Sequence, residues 1–146
     1  MYRNLFTTLP SGVSVICWKN FKFLVSQRKT GENLFQFPGG KVEKGENAQF
    51  AARRELSEEV GWELGMKRFI NLGQIAPCVG YNKELYQGHR YGVVIRPGEE
   101  VPPNPEPEKH GPWHWVSLEA LHELPMLGGQ LEFAAAMERY AVDLQF

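Results

Sequence analysis

The chain has 146 residues, 42% hydrophobic and 12% aromatic, which suits one domain spanning 1–146 around a single core. A formal net charge of -1 offers no basic field to nucleic acid or to an anionic membrane. No apolar run nears the roughly 20 residues that cross a bilayer, and residues 1–12 (MYRNLFTTLPSG) lack a signal peptide's apolar stretch.

In chain order, Gly12 to Cys17 (GVSVIC) is a β-branched apolar run that predicts a strand. Lys19-Asn20 predicts a tight turn, and Phe21 to Ser26 (FKFLVS) the returning strand of a hairpin. A polar loop over 27–34 leads to a short extended piece, Phe35 to Phe37, which Pro38-Gly39-Gly40 ends. Asn47 reads as the N-cap of a helix from Ala48 to about Val60, with Gly61 as its left-handed stop. Ala48, Ala52, Leu56 and Val60 recur every four residues and form its apolar stripe.

Phe69 to Val79 and Tyr91 to Arg96 predict two further strands. Six of the ten prolines fall between 97 and 112, which marks that stretch as a loop because proline lacks the amide a sheet interior needs. Trp113 to Val116 alternates as a strand, Ser117 caps a short helix over Leu118 to Leu121, and Gln130 to Val142 supplies a last helix. Strands mixed with two main helices predict an α+β or layered α/β/α domain. Cys17 and Cys78 both sit in apolar contexts, so buried free thiols and a reducing, cytoplasmic compartment are expected.

The densest chemistry lies in residues 40–62, GKVEKGENAQFAARRELSEEVGW. Glu55, Glu58 and Glu59 fall within an arc of roughly 100° on the predicted helix, where like charges repel. Cations relieve such a cluster, and an all-carboxylate set suits Mg²⁺, Mn²⁺ or Ca²⁺ rather than zinc. The four histidines, at 89, 110, 114 and 122, show no zinc-site spacing.

This stretch resembles the Nudix box, G-x5-E-x7-R-E-U-x-E-E-x-G-U with U a bulky apolar residue. Gly40, Glu46, Arg54, Glu55, Leu56, Glu58, Glu59 and Gly61 match in identity and spacing, with Trp62 in the last apolar slot. The resemblance runs from about Ser11 to Phe133 and sharpens the fold to a mixed β-sheet sandwiched between α-helices. It implies hydrolysis of a nucleoside diphosphate linked to some group X, with Mg²⁺ or Mn²⁺ as cofactor. In that reading Glu58 and Glu59 are the principal metal ligands and Glu55 a third acid that binds metal or orients water. Gly39 offers its carbonyl oxygen to a metal, and Gly40 lets the backbone approach closely. Glu46 and Arg54 form a structural pair, while Arg53 and Lys41 read as surface charge.

The segment Glu106 to Trp115 (EPEKHGPWHW) resembles the MutT-like branch, which cleaves nucleoside triphosphates to monophosphate and pyrophosphate. By that resemblance Glu108 is a fourth metal-site acid, with Glu106 its nearest rival and Glu84 a weaker one, and Arg28 faces a substrate phosphate. Trp113 and Trp115 read as core rather than as a base-stacking platform. Alternatives are a nucleoside diphosphate sugar or dinucleoside polyphosphate hydrolase, an RNA 5′ pyrophosphohydrolase, and a catalytically silent nucleotide sensor. A small-molecule nucleotide is the expected partner, and a homodimer is compatible with the sequence.

Overall fold

Strand β1 (Ser11–Lys19) is apolar on both faces, the pattern of a strand buried from both sides. The structure is a computed structural model that describes residues 9–29, 33–79, 83–126 and 131–144. Along one edge β1 runs parallel to β6 (Leu85–Val94), and β6 pairs antiparallel with β5 (Ile70–Val79). Along its other edge β1 meets β4 (Gly39–Lys41) at Gly12–Ser14 and β2 (Lys22–Gln27) at Trp18–Lys19. Strand β2 continues the sheet to β3 (Phe35–Gln36) and to β7 (His114–Ser117). The result is one mixed sheet, the α+β arrangement that the sequence predicts.

Helix α1 (Ala48–Glu59) covers one face of the sheet and α3 (Leu131–Asp143) the other. Alternation along β1 divides the core accordingly. Val13, Val15 and Cys17 pack with Ala51, Ala52, Leu56 and Val60 of the α1 layer. Ile16 and Trp18 pack with Ala134, Met137 and Ala141 of the α3 layer. The short α2 (Leu118–Leu121) is capped by Ser117, whose hydroxyl accepts the Ala120 amide at 3.1 Å. Cys17 and Cys78 are both buried and free. Among the described residues no helix is long and apolar enough to cross a membrane.

Several boundaries depart from the sequence reading. The hairpin turns at Asn20-Phe21, with φ of 50° and 62°, one residue later than predicted, so β2 begins at Lys22. The left-handed pair is the backbone that a two-residue hairpin needs. Pro38-Gly39-Gly40 does not end extended structure, because Gly39–Lys41 pairs with β1 as β4. Strand β6 starts six residues before Tyr91 and stops at Val94, since its polar first half is held by pairing on both edges. A single turn of 3₁₀ helix, Met66–Arg68, has no apolar periodicity to announce it. The last helix is described from Leu131 onward, and Gln130 lies outside the described residues.

Candidate active site

Helix α1 starts where the Asn47 side chain accepts the Phe50 amide at 2.8 Å, and the chain leaves it through Gly61 at φ 96°. Its apolar stripe faces the core, and Glu55, Glu58 and Glu59 crowd its C-terminal turns. No basic residue stands in the last turn. The negative end of the helix dipole thus adds to the repulsion among the carboxylates.

Glu55 is buried, and its carboxyl is hydrogen-bonded to that of Glu59. Glu59 Oε2 also accepts the Gly39 amide at 3.2 Å, which pins the carboxyl under strand β4. Burial pushes the Glu55 carboxyl above the ordinary range, against the pull of Arg54. Burial and then the Glu55 charge push Glu59 well above it, with Glu106 adding to the effect. A Cβ on Gly40 would land on the Glu55 carboxyl, so glycine leaves that cradle open.

Arg54 organises the loop before the helix. Its Nη2 donates to Glu46 Oε1 at 2.6 Å and to the Lys41 carbonyl at 2.9 Å, and its Nε donates to Glu46 Oε2 at 3.1 Å. This bidentate bond holds Glu46 below the usual carboxylate range. The remaining Nη1 bonds Glu55 Oε1 at 3.0 Å and Glu58 Oε2 at 3.1 Å. Glu58 is exposed and turned toward Arg54. Arg53 donates to the Leu64 carbonyl at 2.9 Å, a structural bond rather than a phosphate contact.

The acid facing this helix end from the proline-rich loop is Glu106. Asn104 Oδ1 accepts the Glu106 amide at 2.9 Å, and the Glu106 carbonyl accepts the Lys109 amide at 3.0 Å in a tight turn. Glu106 is partly buried and pairs with Lys109 Nζ at 2.9 Å, while Glu108 is exposed. The Asn-Pro-Glu sequence, an Asx turn, is the signal that could have favoured Glu106. Glu84 is exposed just before β6.

Trp113 joins the loop to the helix, its indole N–H donating to the Glu59 main-chain carbonyl at 3.1 Å. Trp115 packs against Trp62 with ring centroids 6.4 Å apart, in the α1 core layer as predicted. Arg28 bonds Gln36 Oε1 at 3.3 Å and lines a cavity of about 430 Å³ with Lys29, Phe35, Pro112 and His114. None of the residues described as lining it is a carboxylate.

The donor set fits a hard divalent cation. Two carboxyls press on each other where a cation would relieve them, beside a glycine cradle. Among the described residues no three acidic, His or Cys side chains converge as a finished metal cluster, because Glu58 is held away by Arg54.

The model of the NUDIX domain matches residues 8–137. The chain belongs to the NUDIX family. It is 41% identical over 71 residues to an 8-oxo-dGTP diphosphatase of Buchnera aphidicola subsp. Schizaphis graminum, covering 47% of this chain and 50% of that protein. It is 45% identical over 40 residues to an RNA pyrophosphohydrolase of Campylobacter jejuni subsp. doylei, covering 27% of this chain and 26% of that one. The chain thus spans half or less of the length of these curated relatives. The crystal structure of a MutT NUDIX hydrolase from Burkholderia pseudomallei superposes with a TM-score of 0.65 at 25% identity, over 75% of this chain and 84% of that one.

Proposed function

We propose that this Nudix protein is a divalent-cation-dependent pyrophosphohydrolase that converts a nucleoside triphosphate to the monophosphate and pyrophosphate. The observation that carries the reading is the Glu55–Glu59 carboxyl pair at the dipole-negative end of α1, beneath Gly39 and Gly40. Glu55, Glu59 and Glu58 would hold Mg²⁺ or Mn²⁺, with the Gly39 carbonyl and Glu106 as further oxygen donors. When bound, the cation neutralises phosphate charge and acidifies the attacking water.

The chain's own residues supply positioning, which is most of what phosphoryl transfer asks of a protein. Gly39 fixes one Glu59 oxygen, and Arg54 orients Glu55 while anchoring the loop through Glu46. Arg28, at the rim of the 430 Å³ cavity, is assigned to a substrate phosphate. Glu106 replaces Glu108 as the acid contributed by the loop, because it is the one whose charge acts on Glu59.

The test is hydrolysis of a panel of canonical and oxidised nucleoside triphosphates, nucleoside diphosphate sugars, dinucleoside polyphosphates and 5′-triphosphate RNA, with Mg²⁺, with Mn²⁺ and with excess chelator. Pyrophosphate as first product from a triphosphate supports the proposal. Full turnover in chelator rejects the metal role, and orthophosphate as first product rejects the cleavage site. A kcat/KM higher on capped or 5′-triphosphate RNA than on every free nucleotide would move the substrate assignment to RNA, as the name of the Campylobacter relative suggests.

A further inference from the structure

The two acids whose charges meet at the site come from separate segments, Glu59 from α1 and Glu106 from the proline-rich loop. A path of contacts joins them, and His110 stands in its middle. The Glu106 carbonyl accepts the His110 amide at 3.4 Å as well as the Lys109 amide at 3.0 Å. The His110 ring lies against Trp113, with ring centroids 4.8 Å apart and planes tilted by 58°. The Trp113 indole N–H reaches the Glu59 main-chain carbonyl at 3.1 Å. The path thus runs from the turn of one acid to the end of the helix that carries the other.

His110 is itself held from outside the site. Its carbonyl accepts Asn104 Nδ2 at 3.3 Å, from the side chain whose Oδ1 holds the Glu106 amide. Its backbone bridges to Arg28, at the end of β2. On either side of that bridge the Lys29 amide donates to the Lys109 carbonyl at 3.1 Å and the Gly111 amide to the Gln27 carbonyl at 2.8 Å. The sheet therefore fixes His110, and His110 fixes the loop.

Packing alone does not account for a histidine here. The side chain is buried, 2% exposed. Its Nδ1 lies 3.1 Å from the Gly111 carbonyl, and a carbonyl only accepts, so Nδ1 carries a proton. The other nitrogen, Nε2, is buried and has no hydrogen-bond partner among the described residues. An unpaired polar atom in the interior is destabilising, and a phenylalanine ring would carry none. The Gly111 carbonyl does not depend on the imidazole, since Asn104 Nδ2 also reaches it at 3.4 Å. What the imidazole adds is a bond to its own backbone, which sets the angle at which the ring meets Trp113. A local rule broken at a cost in stability is the mark of a residue kept for the site.

We propose that His110 is a positioning residue for the cation site: its amide on Glu106 and its ring on Trp113 together set the loop acid against Glu59. The inference rests on the reading above, in which these two acids share a divalent cation. His110 acts through the residues beside it and not on the cation or the nucleotide. Losing a partner one step removed from a metal changes affinity by about 10–100-fold.

The test is His110→Phe, which keeps an aromatic ring and removes both nitrogens. Mn²⁺ affinity of the protein alone is read from the EPR signal of free Mn²⁺, beside a metal-free thermal melt and triphosphate turnover over a range of Mn²⁺. The Mn²⁺ dissociation constant and the Mn²⁺ concentration for half-maximal turnover are both expected to rise about tenfold. KM for the nucleotide at saturating Mn²⁺ should stay within about twofold, and the melting temperature should be unchanged or higher. A lower melting temperature with wild-type Mn²⁺ affinity is what a merely structural histidine gives, and it overturns the inference. If the phenylalanine variant does not fold, His110→Gln, which keeps an N–H and drops the ring, is judged by the same Mn²⁺ criterion. Because the effect passes through Trp113, adding Trp113→Phe should weaken Mn²⁺ binding no further than the more damaged single variant. Fully additive losses overturn the route through the indole. A wild type that binds no Mn²⁺ and hydrolyses no nucleotide rejects the proposed function and this inference together. Wild-type binding with unchanged variants rejects this inference alone.

Discussion

The indole N–H of Trp113 donates to the main-chain carbonyl of Glu59 over 3.1 Å. That carbonyl is one of the last four of α1, which lack partners inside the helix. A residue just before β7 thus caps the turn that carries the site. The same glutamate is held from the other side by the Gly39 amide at 3.2 Å. Its backbone and its carboxyl are fixed by two different segments, so loosening either displaces the same acid.

Replacing Trp113 by Phe keeps a ring in the core layer and removes the donor. The carbonyl it leaves without that donor costs about 1–2 kcal/mol. A thermal melt should show a loss of several degrees, by the usual scaling for a domain of this size. Turnover should fall as well, because Glu59 loses part of its support. An unchanged melting temperature would show that water replaces the indole without loss.

Glu59→Gln should lower kcat by at least about a hundredfold, since a cation loses a charged ligand worth several kcal/mol in the transition state. The fold should be intact or slightly more stable. Burial and the Glu55 charge already disfavour the ionised Glu59, and the variant removes that repulsion. Measuring kcat beside a melt separates the two effects. Unchanged kcat removes Glu59 from the chemistry.

Gly40→Ala places a methyl group on the Glu55 carboxyl. The carboxyl must turn away, breaking its bonds to Glu59 and Arg54. The expected result is a stability loss of about 1–3 kcal/mol from overpacking and a large fall in kcat. The variant is informative because it removes no acid. Wild-type turnover in Gly40→Ala would mean that the position of Glu55 is irrelevant to activity.

The helix, its Asn47 cap, its Gly61 stop and the Arg54–Glu46 pair were legible because each depends on contacts within about twenty residues of sequence. Periodicity and spacing encode such contacts directly. The missed features depend on distant partners. Gly39-Gly40 reads as a breaker in isolation and becomes a strand only because β1 offers an edge at Gly12–Ser14. The first half of β6, LYQGHR, has no strand pattern, and pairing with β1 and β5 makes it one. Arg90 lies in that unpatterned half, and the sheet buries it. Resemblance located the acidic loop segment, and only the folded chain shows that the Glu106 charge acts on Glu59.

A pH effect on stability is expected from Glu99. Arg68 Nη1 and Nη2 grip its carboxylate at 2.6 Å each, and the Arg96 amide adds a bond at 2.7 Å. The Arg68 hydrogen bonds lower the Glu99 pKa from 4.5 to about 2. A depressed carboxylate stabilises the fold fully above its unfolded value and loses that effect as pH falls through the folded one. The loss therefore runs from about pH 5 down to about 2. The undamped figure is about 3 kcal/mol, and partial exposure reduces it to about 1–2 kcal/mol. Urea melts at pH 7 should show Glu99→Gln less stable by that amount. The gap should close as both proteins approach pH 2. A gap that persists there would assign the loss to packing instead.

The loop acid is decided by comparing two substitutions. Glu106 donates its amide to the Asn104 side chain, is partly buried, and acts electrostatically on Glu59, whereas Glu108 is exposed. Glu106→Gln should lower metal-dependent kcat by roughly ten to a thousandfold, less than Glu59→Gln, because it removes one outer donor from the cation and not the central one. Glu108→Gln should change kcat less than twofold, as an exposed loop charge does. Lys109 provides the control for a purely structural role. Lys109→Met breaks the 2.9 Å bond to Glu106 and should leave most of kcat while slightly shifting stability. Measured at saturating Mg²⁺, a silent Glu106 variant beside a damaged Glu108 variant would mean that the loop rearranges when the cation binds, turning the outer acid inward.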